Sequence, residues 1–324
     1  MTRWGITIPL GDTDLARQGE TYRELEATGY TDLWSAEGTG TEGFIPLGVA
    51  AAVTSTVHLG IAIAPAYTRG PALMAQTAAT LAATAPGRVT IGIGSSSSTI
   101  VEQFNGIPFE RPWSHCRDLL RFLPTTWAGE KVDATPANGF DTLDVRGFRL
   151  GVVPPEPPRL ALAALRGRML RLAGAEADGV IINWLSAEDV RTVVPVVAEA
   201  AGGVQPDVIA RIMVVPTDDA ERARAIGRRM ITAYLNVPVY RAFQEWLGRE
   251  ELGPMWKLWE AGDRRGALEA IPDDVVDELI VHGSPEAIRE HVQRYIDAGV
   301  TIPVMALTPV GRDPMEICRS LAPG

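Results

Sequence analysis

The sequence predicts an α/β fold, a (β/α)8 TIM barrel with a hairpin excursion and a helical insertion after strand 7. Three observations carry that prediction. Apolar strands and amphipathic helices alternate along the whole chain, the order that builds a parallel sheet with helices outside it. The segment 57–98 shows the unit most clearly: LGIAIA and RVTIGIG bracket one helix, and such a crossover makes the two strands parallel. The length of 324 residues also suits one barrel with an insertion better than an open doubly wound sheet. A GIGSSS run after a strand invites the open-sheet reading, but Gly92-x-Gly94-x-x-Ser97 lacks the third glycine of a dinucleotide fingerprint.

Each element follows from local pattern. RWGITIP over 3–9 is the first strand, followed by a helix from about 14 to 28 with Leu15, Tyr22 and Leu25 inward. TDLWSAE is the second strand, ending at Glu37, and a helix over 44–53 leads into the third. In the third and fourth strands Leu59, Ile61 and Ile63 alternate with Gly60, Ala62 and Ala64, and Val89, Ile91 and Ile93 with Thr90, Gly92 and Gly94. Successive strand side chains point to opposite faces, so each strand has one bulky face and one bare face that leaves room for a ligand. The helix between them starts at Pro71, a natural first-turn position, and carries Leu73, Thr77, Thr80, Leu81 and Thr84 on one stripe.

After Ser98 a loop reaches Pro112, and a helix bearing Leu119, Leu120, Phe122 and Leu123 runs to about Ala128. Turn signals at Ala137-Asn138-Gly139 and Arg146-Gly147 make 131–150 a hairpin. RLALAAL, GVIINW and VIARIMVV are strands five to seven, separated by helices over 167–174 and 186–201. A helix over 218–235 and the Tyr/Trp-rich region at about 237–273 exceed one crossover, and the latter is the insertion. Ser284 then caps a helix with Pro285 at its first position and Ile288, Val292, Tyr295 and Ile296 on one face. TIPVMAL is the eighth strand, and a helix over 314–321 closes a single domain spanning 1–324.

Composition narrows the function classes. A formal net charge of −10 argues against a nucleic-acid groove, which needs a clustered excess of basic charge. No apolar run approaches the roughly 18 residues of a membrane span, and the N-terminus lacks a charged region followed by an apolar signal core. The expectation is a cytoplasmic protein acting on a small molecule, with neither nucleic acid nor membrane as partner. Cys116 and Cys318 form no CxxC pattern, and His58, His115, His282 and His291 do not fall at metal-ligand spacing. No metal is expected.

Barrel chemistry gathers at the C-terminal strand ends, here 9–12, Glu37, 64–69, 95–98, 165–168, 183–184, 216 and 307–309. No GxSxG elbow occurs among them. Ser95, Ser96 and Ser97 offer hydroxyls and amides, or form a plain turn. LALAALRGRMLRLAG sets Arg166, Gly167 and Arg168 where a helix begins, so free amides and guanidiniums there favour an anion; the other reading is a solvated helix start. Glu37 either accepts a hydrogen bond from a cofactor ring N–H or is an exposed loop carboxylate. Arg69, before Gly70-Pro71, is read as holding its loop by carbonyl contacts. Tyr234, Tyr240, Phe243, Trp246, Trp256 and Trp259 either roof an apolar pocket or belong to core or a dimer interface.

Taken in order and spacing, GYTDLWSAE, TSTVHLGIAIAP, RGPALMAQTAATL, PGRVTIGIG, LALAALRGRMLRLAG, ADGVIINW and HGSPEAIREHVQRYIDAGVTIPV resemble the bacterial luciferase-like superfamily, in particular its coenzyme F420-dependent oxidoreductase branch. The resemblance implies a (β/α)8 barrel that is often a homodimer. It also implies a non-prolyl cis peptide at Ala62-Ile63 behind the deazaflavin ring, and the cofactor phosphate against Ala164, Leu165, Arg166, Gly167 and Arg168. Glu37 matches an acidic position beside the ring and is the catalytic candidate; Ser95, Ser96 and Ser97 form a cleft wall, and Asn183 is another ring-side strand end. Where sugar-phosphate dehydrogenases of the branch carry His and Glu, this chain has Gly38 and Ser97. Oxidising a hydroxyl needs a base, so the expected reaction is hydride transfer from reduced F420 to an activated C=C, C=N or C=O bond. The alternatives are an FMN-dependent luciferase-like monooxygenase and a non-catalytic flavin-binding barrel.

Overall fold

The computed structural model describes residues 3–11 and 14–323; Asp12, within one of the predicted strand ends, lies outside them. The strands are β1 (Gly5–Thr7), β2 (Asp32–Ser35), β3 (His58–Pro65), β4 (Val89–Gly94), β5 (Val132–Ala134), β6 (Val145–Phe148), β7 (Arg159–Ala163), β8 (Gly179–Asn183), β9 (Asp207–Val215), β10 (Ile280–His282) and β11 (Ile302–Leu307). Pairing runs β1-β2-β3-β4-β7-β8-β9-β11 and returns from β11 to β1, which closes eight parallel strands into a barrel. β5 and β6 form the antiparallel hairpin outside it. β10 is a short additional parallel strand on the upper end of β9, one more than the sequence pattern predicts.

Helices α1 (Gln18–Ala27), α2 (Phe44–Val53), α3 (Pro71–Thr84), α4 (Pro112–Trp127), α5 (Gly167–Glu176), α6 (Ala187–Ala200) and α7 (Ala220–Leu235) follow successive barrel strands. The insertion is built from α8 (Pro238–Trp246), α9 (Gly253–Glu260), α10 (Arg264–Glu269) and α11 (Asp273–Leu279), before α12 (Pro285–Asp297) and α13 (Pro314–Leu321). Among the described residues no helix is long and apolar enough to cross a membrane.

Three local expectations need correction. The first predicted helix begins as a 3-10 turn at Leu15–Arg17, which leaves Leu15 55% exposed while Tyr22 and Leu25 are buried. On α3 the buried stripe is Met74, Ala75, Ala78, Ala79, Leu81 and Ala82, whereas Leu73 is exposed. Thr77, Thr80 and Thr84 donate their hydroxyls to the carbonyls of Leu73, Gln76 and Thr80, a satisfaction that needs no core contact. The alanine face wins because it lets the helix lie close to the strands. Arg146-Gly147 is not a turn but lies inside β6.

The bare strand faces have a different use from the one expected. Trp34, 1% exposed, fills the barrel interior together with Ala161, Ile181, Ile209, Ile302 and Val304. A Cβ on Gly60 would stand 2.3 Å from the Trp34 ring, and one on Gly92 would stand 2.2 Å from the Ile61 carbonyl oxygen. Gly60 and Gly92 therefore make room for the protein's own indole and main chain, not for a ligand. Below this layer the barrel floor is polar: buried Asp32 pairs with Arg3, Asp207 pairs with Arg159 at 3.0 Å, and His58 Nε2 meets Thr90 Oγ1 at 2.7 Å. Packed apolar rings over a paired polar floor plug the barrel, so open space is left at its C-terminal mouth.

Candidate active site at the barrel mouth

The expected cis bond is present: Ala62 and Ile63 are joined by a non-prolyl cis peptide, and Ile8-Pro9 at the end of β1 is also cis. The β3–β4 register shifts between Ile61 and Ala64. Ala62 and Ile63 both pack on the barrel interior beside Ala163, while Ala64 joins the outer core against the helices. The bare face expected at Gly60, Ala62 and Ala64 is thus not one continuous face. Ala62, Ile63, Gly94 and Ala163 instead form a low wall at the mouth, with Gly94 close to both the Ala163 and Ile63 side chains.

A cleft of about 420 Å³ opens beside this wall, lined by Glu37, Glu42, Pro65, Arg69, Ile100 and Asn105 among others. Glu37 is held on three sides. Its Oε2 accepts from Arg69 Nη1 at 2.6 Å, its Oε1 from the Gly43 N–H at 3.2 Å, and its own N–H donates to the Ile63 carbonyl at 3.2 Å. Its side chain is 12% exposed, so it is no free loop carboxylate. Arg69 also pairs with Glu42 and stacks over Phe44. Glu42 in turn receives the Phe44 and Ile45 N–H groups at 2.8 and 2.7 Å, capping α2. Arg69 therefore works through carboxylates, not the carbonyls expected of it.

Across the mouth, Ser95, Ser96 and Ser97 are half-buried after β4. Ser96 has φ 62 and Ser97 leads into a π-helix, Thr99–Phe104, accepting the Val101 N–H at its carbonyl. Ala164 and Leu165 run from β7 to the start of α5, which Arg166 caps and Gly167 enters at φ 41. A Cβ on Gly167 would meet nothing within 4 Å, so the helix N-terminus faces open space. Among the described residues Arg166 donates to the Ala242 carbonyl, at 3.3 Å, and Arg168 lies over the Trp113 ring at 3.7 Å. Neither guanidinium is paired with a carboxylate among the described residues.

Asn183 ends β8 on the face shared with Ile181, pointing into the barrel, and its Oδ1 is buried without a partner among the described residues. Trp184 follows with φ 57 and packs tilted against Tyr234, ring centroids 4.9 Å apart, with Tyr240 edge-on to Tyr234 at 6.1 Å. The candidate aromatics thus divide: Phe243 and Trp256 are core, whereas Tyr234 on α7 and Tyr240 on α8 lie beside Trp184 at the mouth. Left-handed φ values at non-glycine residues mark places where the surroundings over-determine the backbone, and Ser96 and Trp184 both occupy barrel strand ends. Arg211 on β9 was missed by the sequence reading; its signal was a lone charge within the apolar run VIARIMVV. Among the described residues no group of three or more His, Cys, Asp or Glu is placed to hold a metal ion.

A plugged parallel barrel with the orphan Asn183 Oδ1 and Arg211 Nε and the strained Ser96 and Trp184 at its strand ends has the architecture of a barrel enzyme. Comparison with known proteins makes this narrower. The chain belongs to the luciferase-like monooxygenase family, whose model matches residues 2–301. It is similar to the F420-dependent glucose-6-phosphate dehydrogenase of Beutenbergia cavernae, 28% identical over 276 residues that cover 79% of this chain and 74% of that protein. The coenzyme F420-dependent tetrahydromethanopterin reductase of Methanopyrus kandleri shares the fold with TM-score 0.76 and 21% identity, covering 99% of this chain and 97% of that one. So does the oxygenating constituent of 3,6-diketocamphane monooxygenase from Pseudomonas putida, solved with FMN, at TM-score 0.66 and 16% identity over 99% and 97% of the two chains. The fold is one of flavin- and deazaflavin-binding oxidoreductases.

Proposed function

We propose that the protein is a coenzyme F420-dependent oxidoreductase that reduces an activated C=C, C=N or C=O bond of a small organic substrate. The observation that carries this reading is the α5 N-terminus, where Arg166 and Arg168 flank open backbone amides in a protein of net charge −10. Helix amides and unpaired guanidiniums attract a phosphate. In this reading Ala164 to Arg168 hold the cofactor phosphate, and Ala62 and Ile63 back the ring. The buried Asn183 Oδ1, lacking a partner, fits an N–H on the ring edge. The bound reduced deazaflavin supplies the hydride. Glu37, pinned by Arg69 and the Gly43 amide, keeps a fixed acceptor beside the wall. Gly38 and Ser97 supply no base for hydroxyl oxidation, which favours the reducing direction.

Relatives named as F420-dependent, among them the Beutenbergia cavernae enzyme, support the deazaflavin. The FMN-bound Pseudomonas putida barrel supports a second reading, an FMN-dependent monooxygenase. Paired titrations with F420 and FMN separate them. F420 should bind at least about tenfold more tightly, a difference of about 1.4 kcal/mol; tighter FMN binding would favour the monooxygenase, and no binding of either would overturn both.

A further inference from the structure

Arg211 is the one basic residue of β9. Ile209, two residues earlier on the same strand face, packs in the barrel interior with Trp34, Ile181 and Val304, so Arg211 also points inward, one layer nearer the mouth. It is only partly exposed, and its Nε is buried with no hydrogen-bond partner among the described residues. By contrast Arg3 at the barrel floor is paired with Asp32, and buried Arg249 with Asp189 and Glu278. Only the Nε of Arg211 is fully shielded, so its Nη groups reach the open mouth, and a guanidinium held there without a counter-charge among the described residues can take an anion that arrives from outside.

Its neighbours complete a receptor. Asn183 is the ladder partner of Arg211, so its side chain stands beside the guanidinium; its Nδ2 can donate to an anion, while its buried Oδ1, without a partner among the described residues, is left to the cofactor ring. Tyr240 projects from the insertion toward both. Burial and Tyr234 push its phenol up, against the smaller opposing pull of the Asn183 amide and Arg211, so the hydroxyl stays protonated and able to donate. Tyr234 and Tyr240, backed by the buried Trp184 ring, lie beside these groups, and flat rings favour stacked or edge-on contact with another flat group.

We propose that Arg211, with the Asn183 Nδ2 and the Tyr240 hydroxyl, binds the carboxylate of an aromatic or unsaturated organic acid whose planar body lies along Tyr234 and Tyr240. A guanidinium fork matches a carboxylate in a bidentate pair. The inference names a substrate class for the proposed reductase and rests on that reading for the chemistry, but the anion site can be tested without turnover.

Benzoate and benzamide share shape and differ in charge. Calorimetric titration of the full chain, with and without saturating F420 or FMN, should show benzoate binding at least tenfold more tightly than benzamide in every case. Arg211→Gln should bring benzoate to the level of benzamide and leave benzamide unchanged. Should that variant fail to fold, Arg211→Lys, which keeps the charge but loses the fork, should lower benzoate affinity severalfold with benzamide unaffected. Equal or absent binding of the two probes, discrimination that survives Arg211→Gln, or displacement of benzoate by saturating cofactor would each overturn the proposal. If neither cofactor binds while benzoate discrimination persists, the reductase reading fails and the Arg211 site stands.

Discussion

Glu37 and the pair Arg166 and Arg168 carry most of what is specific in the mouth. Glu37 is fixed between Arg69 and Gly43, and both members of the ion pair are largely shielded, at 12% and 15% side-chain exposure. Glu37→Gln keeps a hydrogen-bonding group but removes the charge facing Arg69. It should cost about 1–3 kcal/mol of stability, read by chemical denaturation; an unchanged midpoint would show the contact to be incidental. Replacing Arg166 and Arg168 together by Ala should weaken cofactor binding by about tenfold or more, with a shallower salt dependence. Both residues are exposed, so stability should hardly move. Proton binding at His58 makes a separate prediction. Burial, aided by Arg3, lowers its pKa from the ordinary 6.5 to about 4, and burial does the same for His291. The unfolded chain takes up these protons first, so stability is full above about pH 6.5 and declines toward pH 4. His58→Gln should flatten the melting curve against pH across that window; an identical slope would contradict the assignment.

β3 and β4 show how strands build a site by being filled. Their glycines admit Trp34 and the Ile61 main chain in the middle of the barrel, and this plug fixes how deep the mouth can be. Gly92→Ala would press a methyl against the Ile61 carbonyl, a neighbour that cannot rotate away. It should cost about 3 kcal/mol, measured by thermal unfolding; a variant as stable as the parent would mean the strands part easily. The order of strands and helices was legible in the sequence because periods of two and near four are written locally. The buried face of α3 was not, since alanines and threonines there differ little in hydrophobicity and close packing against the strands decides. Leu15 misled for a related reason: the 3-10 turn that holds it outward leaves no mark in the apolar pattern.

Across the molecule, the site is assembled from ends of β2, β3, β4, β7, β8 and β9 and from the insertion, segments that meet only on closure of the barrel. Glu37, Asn183 and the α5 N-terminus stand out in the sequence as candidates because a barrel places function at strand ends. Arg211 could not be assigned that way: nothing in VIARIMVV says that Asn183 will be its neighbour or that Asp32 and Asp207 will be spent on Arg3 and Arg159. Partners of buried charges depend on three-dimensional neighbours. The same closure joins the wall of Ala62, Ile63 and Ala163 to the aromatics of the insertion, and the central proposal is that a hydride passes from a deazaflavin on that wall to a substrate beside the insertion. The most direct test is anaerobic oxidation of protein-bound reduced F420 by unsaturated organic acids, monitored through return of the oxidised deazaflavin spectrum. The account predicts cofactor oxidation matched one for one by an acceptor that has gained two electrons and no oxygen. Turnover only with reduced FMN and O2, giving an oxygenated product, would contradict it.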